Sequence, residues 1–306
     1  MNERSLLSAS LNARHNEYRY LLLDPLKELA AWNLLNAEQL QDSLGSDALR
    51  RVLRPDLAWS AEHCPLLVLL ASPGEMPDEA LVQYSEKYAR GEVLYEKRGV
   101  CGWLTSTLAP DAMAEWLAAL CGNIKPGTTI PLFESLRLDL LQATADPVSL
   151  AGLLAAVSQW HWVSSAGVLQ TLNGQYSEAN WRLNWSTEQA QNDIRLLWRL
   201  LSSWRDASEV LPVDAARQAI DAWTMTGKVG LHHLSDRLYL ALNVLTLPAD
   251  ITEHAAVQVL MQQASEDASL YFEQLMQTLP HTVWQEFNHT QSGKKEFEHG
   301  YQSTGQ

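Results

Sequence analysis

The sequence has few cysteines, and their spacing indicates neither a disulfide framework nor a metal site. Cys64, Cys101 and Cys121 are widely separated, and no CxxC pair occurs. An odd and dispersed set of this kind favours reduced thiols, as in cytoplasmic proteins, over a disulfide scaffold or a zinc ribbon. We therefore expect a protein that holds no metal and no cofactor.

Long hydrophobic runs and basic residues are also scarce. The longest apolar runs, such as residues 66–71, are far too short to cross a bilayer, and the first twenty residues lack the apolar core of a signal peptide. Only 22 Lys and Arg stand against 36 Asp and Glu, which gives a formal net charge of −14. Nucleic acid and anionic membranes both need clustered basic residues. We expect a cytoplasmic, soluble protein that binds no nucleic acid and does not insert into membranes.

Motifs that carry chemistry are missing as well. No GxGxxG, P-loop, GxSxG or HExxH segment occurs. His232 and Asp236 have the i,i+4 spacing of helical metal ligands, but two ligands are too few for a closed zinc site. Cys101 lies in an apolar run with no evident base, which is typical of a buried small hydrophobe. Four carboxylates could supply an acid–base pair, although the sequence does not fix their distances: Glu92, Glu96, Glu134 and Asp139. We expect no enzyme activity.

Short apolar runs alternate with helical patterns in the N-terminal half. The apolar runs predict strands over residues 18–23, 65–71, 99–105, 129–133, 160–163 and 167–172. The 3.6-residue spacing of apolar positions predicts helices over residues 26–44, 78–91, 135–143 and from 110 onward. This alternation is typical of an α+β or α/β lobe in which helices flank a mixed sheet.

The C-terminal half has an almost wholly helical pattern. Helices are predicted over residues 187–206, 213–226, 231–245, 251–264 and 267–279. The last residues are polar and contain glycine, as flexible tails do. We therefore predict an α/β lobe over residues 1–175, an all-α lobe over residues 176–287 and a flexible tail over residues 288–306.

Twelve tryptophans are a high number for 306 residues, and tryptophan anchors both cores and interfaces. Alternation along a strand places Trp160 and Trp162 on one face and His161 on the other. The two indoles could stack a ligand or fill the junction between the lobes. The helix that contains Trp198 is apolar over a wide arc, so it either lies in a core or docks a partner.

Three segments, in order, resemble the type VI secretion effector adaptor (effector chaperone) family. They read Tyr-Leu-Leu-Leu-Asp at residues 20–24, Gly-Trp-Leu-Thr-Ser at 102–106, and Pro-Leu-Phe-Glu-Ser-Leu-Arg at 131–137. The resemblance covers roughly the first 175 residues. Residues 134–136 read Glu-Ser-Leu where the family commonly has Tyr-Asp-Pro, so only Phe133 and Arg137 are carried over from that motif.

The resemblance implies a role without catalysis. Adaptors of this family bind the N-terminal region of a toxic effector in the cytoplasm, stabilise it and load it onto the spike tip protein. It implies an N-terminal α/β lobe and a C-terminal helical lobe that grip the effector segment together. The predicted binding groove lies between the lobes and is formed by Arg137, Trp160, Trp162, Trp181, Trp185 and Trp198.

Two other functions stay open. An enzyme with an unrecognised site would use the remaining polar candidates, His161, His232 and Asp236. An immunity-type inhibitor or helical scaffold would bind a mature toxin domain, a role for which the acidic charge is the only support.

Overall fold

Strands and helices alternate through the first half of the chain, and helices follow in the second. The structure is a computed structural model that describes residues 5–57, 59–94, 96–123, 128–175 and 183–289. Its strands are β1 Tyr18–Leu23, β2 Leu49–Arg51, β3 Leu66–Ala71, β4 Val100–Ser106, β5 Gln159–Val163 and β6 Leu169–Asn173. The helices up to residue 207 are α1 Leu6–Ala13, α2 Ala37–Leu44, α3 Glu79–Gly91, α4 Pro110–Asn123, α5 Ser135–Thr144, α6 Pro147–Leu153, α7 Trp185–Asn192 and α8 Ile194–Ala207. The later helices are α9 Ala215–Val229, α10 Leu234–Thr246, α11 Ala255–Glu266, α12 Phe272–Gln277 and α13 His281–His289.

The chain divides into two units. The first contains the described residues up to Trp198 together with Pro212–Ala216, and the second contains Arg199–Leu211 and the described residues from Arg217 onward. A lobe boundary was expected at residue 175, whereas α7 and the start of α8 belong to the first unit.

One six-stranded sheet organises the first unit, with the strand order β2-β3-β1-β4-β5-β6. Every paired strand runs antiparallel to its neighbour, where a mixed sheet was expected. The centre of the sheet is β1, in which Leu21 pairs with Val68 of β3 and with Trp103 of β4. The predicted fold class, an α+β lobe with a mainly helical C-terminal part, is confirmed.

Both faces of the sheet are covered, which explains why its inner strands read as continuous apolar runs. Tyr20 and Leu22 of β1 point into a core shared with α4, α5 and α6. Leu21 and Leu23 point to the opposite face and pack with α1 and α3. Successive residues of one strand therefore serve two different cores.

Gly102 in β4 lets a large side chain of the next strand approach the backbone. Its φ of +140° lies in a region that residues with a Cβ rarely adopt. A Cβ at this position would lie 2.7 Å from Nε1 of Trp160 and closer still to the carbonyl oxygen of His161. Gly102 and Trp103 therefore have different structural roles. Gly102 leaves room for Trp160, and the Trp103 indole donates a hydrogen bond to Oγ of Ser85 on α3 (3.0 Å).

Two elements predicted in the N-terminal half differ from the structure. In the helical half, the segment expected over residues 187–206 is divided into α7 and α8, while that over 267–279 is shortened to α12. Residues 129–133, expected to be a strand, follow a single bridge residue as irregular chain that ends in a turn at Leu132 and Phe133, and Ile130, Leu132 and Phe133 fill the core. The helix expected over residues 26–44 occupies only Ala37–Leu44. Asn36 caps this shorter helix, because its side chain accepts a hydrogen bond from the amide of Glu38.

The second unit has its own core, built by α10 to α13 and the 3₁₀ turn Ile251–Glu253. Leu240, Val257, Phe272 and Phe287 are fully or almost fully buried in it. No described helix, here or in the first unit, combines the length and the apolar character needed to cross a membrane.

Candidate functional site

An open cavity of about 300 Å³ lies in the first unit, at the lower end of the range for ligand sites. Four chain segments form it: the loop before β4, the N-terminal turn of α5, Ser165 after β5, and the first turns of α8. These segments are far apart in sequence. The fold therefore creates a site that no contiguous motif encodes.

One part of the cavity wall is apolar. It is formed by Leu94, Leu136, Ile194 and Trp198. The indole of Trp198 donates a hydrogen bond to the carbonyl oxygen of Leu94, which ties α8 to the loop before β4. This bond orients the ring and leaves its apolar surface available to the cavity.

The other part of the wall carries a chain of ion pairs. Nζ of Lys97 lies 2.9 Å from Oδ2 of Asp24 and 2.9 Å from Oε1 of Glu134. The second oxygen of Glu134 is 2.9 Å from Nε of Arg137. The Arg137 guanidinium also donates hydrogen bonds to the backbone and side-chain oxygens of Gln191 on α7. These ion pairs and hydrogen bonds link the end of β1, the loop before β4, α5 and α7.

The ion pairs shift the pKa values of Lys97 and Glu134 toward their charged forms. Burial disfavours the charge of Lys97, yet Glu134 and Asp24 outweigh it and raise the pKa of Lys97. Burial likewise opposes ionisation of Glu134, but Lys97 and Arg137 lower its pKa below the ordinary value. Both groups therefore stay charged across neutral pH.

Two cations at the cavity have no carboxylate within ion-pair distance among the described residues. Arg98 donates hydrogen bonds to the carbonyl oxygens of Val163 (2.7 Å) and Ser164 (2.9 Å), and its Nε is buried without a partner in the described chain. Burial lowers the pKa of Arg98, although Asp139 and Glu92 act on it in the opposite direction. Arg195, at the start of α8, is exposed and bonds to no described residue.

Local sequence explains how these side chains are held. Both oxygens of Glu92 accept hydrogen bonds from backbone amides, those of Gly99 and Val100, which fixes the loop immediately before β4. Glu134 occupies the N-cap position of α5 but makes no capping bond there. Its carboxylate is turned to Lys97 and Arg137 instead.

The structure brings two of the predicted partner-binding residues, Arg137 and Trp198, to this cavity. Trp185, the first residue of α7, is 75% exposed but does not line the cavity. Trp181 lies outside the described residues.

Trp160 and Trp162 require a correction. Both side chains are 0% exposed and lie in the core between the sheet and α4 to α6, so they are not accessible to a partner. Nε1 of Trp162 donates a hydrogen bond of 2.7 Å to Oδ1 of the buried Asp139. The alternation of β5 is as predicted, since His161 faces the other way. The alternation of residues in β5 could not show that helices cover the face that carries Trp160 and Trp162.

The candidate catalytic residues have local structural contacts. Burial raises the pKa of the Cys101 thiol well above its ordinary value. His161 is hydrogen-bonded to Ser10 and Thr171, and burial lowers its pKa to about 4. In the second unit, Asp236 accepts the amides of Phe272 and Glu273 at the start of α12. No group of three or more His, Cys, Asp or Glu side chains in the described chain is arranged to hold a metal ion.

The four carboxylates that could have supplied an acid–base pair also have separate partners. Glu92 bonds backbone amides, Glu96 pairs with Lys27, Glu134 pairs with Lys97 and Arg137, and Asp139 bonds Trp162 and Ser165. Glu96 and Glu134 both line the cavity, where they are bound to cations.

Sequence reasoning missed the cations Lys97, Arg98 and Arg195. One signal was present: Glu96, Lys97 and Arg98 form a charged run immediately before an apolar strand. Arg195 stands three residues before Trp198, a spacing that places both on one helix face.

Comparisons with known proteins add no relative: no family model, no curated protein and no solved structure matches the chain.

Proposed function

We propose that the protein is a cytoplasmic adaptor of the type VI secretion kind. It binds the N-terminal region of an effector without catalysis and presents it to the spike tip protein. The observation that carries this proposal is the cavity in the first unit, which combines an apolar wall with cations. Two residues support the resemblance in structural terms. Arg137 lines the cavity, and Phe133 anchors the turn before α5 under the guanidinium of Arg54 (5.5 Å).

The arrangement of the cavity suits binding better than bond cleavage. Its two lining carboxylates, Glu96 and Glu134, are both engaged in ion pairs with lysine or arginine side chains. A general acid or base needs a pKa near the working pH, and the pKa of Glu134 is shifted the other way. Leu136, Ile194 and Trp198 provide apolar surface of the kind that anchors a peptide segment.

The proposal is tested by co-expression with the effector encoded beside this gene. Three effector forms are used: the full chain, its N-terminal region alone, and the toxin domain without that region. We expect the protein to co-purify with the first two and to increase the soluble amount of the full chain. The matched control is an unrelated effector with its own N-terminal region.

Two outcomes contradict the proposal. If none of the three forms binds, the adaptor role is wrong. If only the toxin domain binds, the protein is an immunity-type inhibitor, which was the other binding function left open by the sequence.

A further inference from the structure

We infer that the cavity recognises an acidic side chain within an otherwise apolar segment of the partner, and that Arg195 is its main charge contact. The inference rests on the proposed adaptor function, because it names the kind of segment that the adaptor binds. The first observation is one of charge. The chain carries a net charge of −14, yet four cations and two carboxylates line this cavity.

Most of those charges are compensated within the protein. Glu96 is paired with Lys27, and Glu134 is shared by Lys97 and Arg137. Lys97 also contacts Asp24, a buried carboxylate that does not line this cavity. After these pairs are counted, Arg98 and Arg195 remain without an ion pair in the described part of the chain, and the carboxylates Asp139 and Glu92 act electrostatically on Arg98.

Of these two cations, Arg195 is the one that a ligand reaches. Its side chain is exposed and has no partner among the described residues, whereas Arg98 is held by two carbonyl oxygens. A guanidinium forms two parallel hydrogen bonds with one carboxylate, a geometry that favours Asp or Glu over neutral side chains. Arg98 is held in the cavity wall and partly offset by Asp139 and Glu92, so the accessible positive charge is that of Arg195.

The apolar wall of the cavity determines which residues flank the acidic residue in the partner segment. Arg195 and Trp198 lie one helical turn apart on α8, with Ile194 and Leu136 beside them in the cavity lining. A segment that places a carboxylate on Arg195 therefore sets its neighbouring residues against Leu136, Ile194 and Trp198. Because the chain carries a net charge of −14, its overall field disfavours an acidic segment, so the exposed Arg195 supplies the local attraction that such a segment needs.

The inference is tested without the effector, by selection from a phage-displayed library of random 12-residue peptides on the full chain. We expect enrichment of peptides with one Asp or Glu flanked by Leu, Ile, Phe or Trp. The Arg195→Glu variant should bind the selected peptide at least about tenfold more weakly, since a charge-assisted hydrogen bond is lost and a repulsion is added. Replacing the acidic residue of the peptide with Lys should restore binding to this variant.

The matched control is Lys87→Glu. Lys87 is an exposed lysine on α3 of the same unit that does not line the cavity, so the variant makes the same change of charge elsewhere. It should bind the selected peptide as the unaltered chain does. Equal weakening by both variants would mean that net charge alone governs binding, and the inference would be wrong.

The other possible outcomes of these experiments also test the inference. Enrichment of basic or neutral peptides, or the absence of any enrichment, overturns the inference. An effector complex that forms equally well with Arg195→Glu overturns it too, while the adaptor function stands. If no effector complex forms but acidic peptides bind through Arg195, the adaptor function fails and the peptide site remains.

Discussion

Replacing Gly102 with alanine should destabilise the first unit strongly. The added Cβ would lie 2.7 Å from Nε1 of Trp160 and even closer to the carbonyl oxygen of His161. Backbone oxygen cannot move aside as a flexible side chain does. Overpacking of this kind costs about 1–3 kcal/mol, and the φ of +140° adds about 1–3 kcal/mol of backbone strain. We expect a loss of about 4 kcal/mol in the free energy of unfolding.

Gly167→Ala is the matched control, at a glycine with a positive φ and no clash. Gly167 also has a positive φ, of +76°, but a Cβ there meets nothing within 4 Å. Its substitution should cost only about 1 kcal/mol, from the left-handed backbone conformation. The difference between the two variants therefore contains the cost of the clash with β5 and the greater backbone strain at the φ of +140°.

Urea unfolding followed by circular dichroism measures both variants. With an m-value of about 3 kcal/mol/M, Gly102→Ala should lower the midpoint by about 1 M more than Gly167→Ala does. Equal midpoints for the two variants would refute the account of how β4 and β5 pack, because the clash would then have no consequence.

Three further predictions concern single contacts. Lys97→Met removes the cation that contacts Asp24, whose side chain is 1% exposed, and should cost about 2 kcal/mol in urea unfolding, with no comparable loss for Lys87→Met. His161 has a pKa lowered to about 4, so its contribution to stability is complete above about pH 6.5 and is lost as the pH falls toward 4. His161→Gln should flatten the urea midpoint across that window, and an unchanged pH profile would contradict the burial argument. Asp236→Ala removes the cap of α12 and should cost about 1–2 kcal/mol, while Asp236→Asn should cost less; equal losses would contradict the capping role.

The strands of the first unit were predictable where an apolar run ends in a clear turn signal. The runs that became β1 and β3 are bounded by Asp24-Pro25 and by Ser72-Pro73-Gly74, which stop them at the observed ends. The run at residues 129–133 was wrongly predicted, because apolar residues in a turn that fills a core have the same composition as a strand.

Helix limits were harder to predict because polar side chains compete for the backbone. Asn33 accepts the amide of Leu35, and Asn36 accepts that of Glu38, so the helix begins only at Ala37. The single helix expected over residues 187–206 is divided into α7 and α8 at Asp193. Neither change alters the apolar spacing on which the prediction depended.

The cavity was the least predictable feature. Arg137 and Trp198 were named from the sequence, but Trp160 and Trp162 were misassigned since alternation does not reveal which helices cover a strand face. Arg195 resembles any solvated helix residue in the sequence. Its importance arises only when distant segments meet around it.

The most direct test of the central claim is hydrogen–deuterium exchange of the full chain, alone and in complex with the effector's N-terminal region. The cavity account predicts slower exchange in residues 96–98, 134–137 and 194–198 when the complex forms. A complex that leaves these three segments unchanged and slows exchange elsewhere would contradict it.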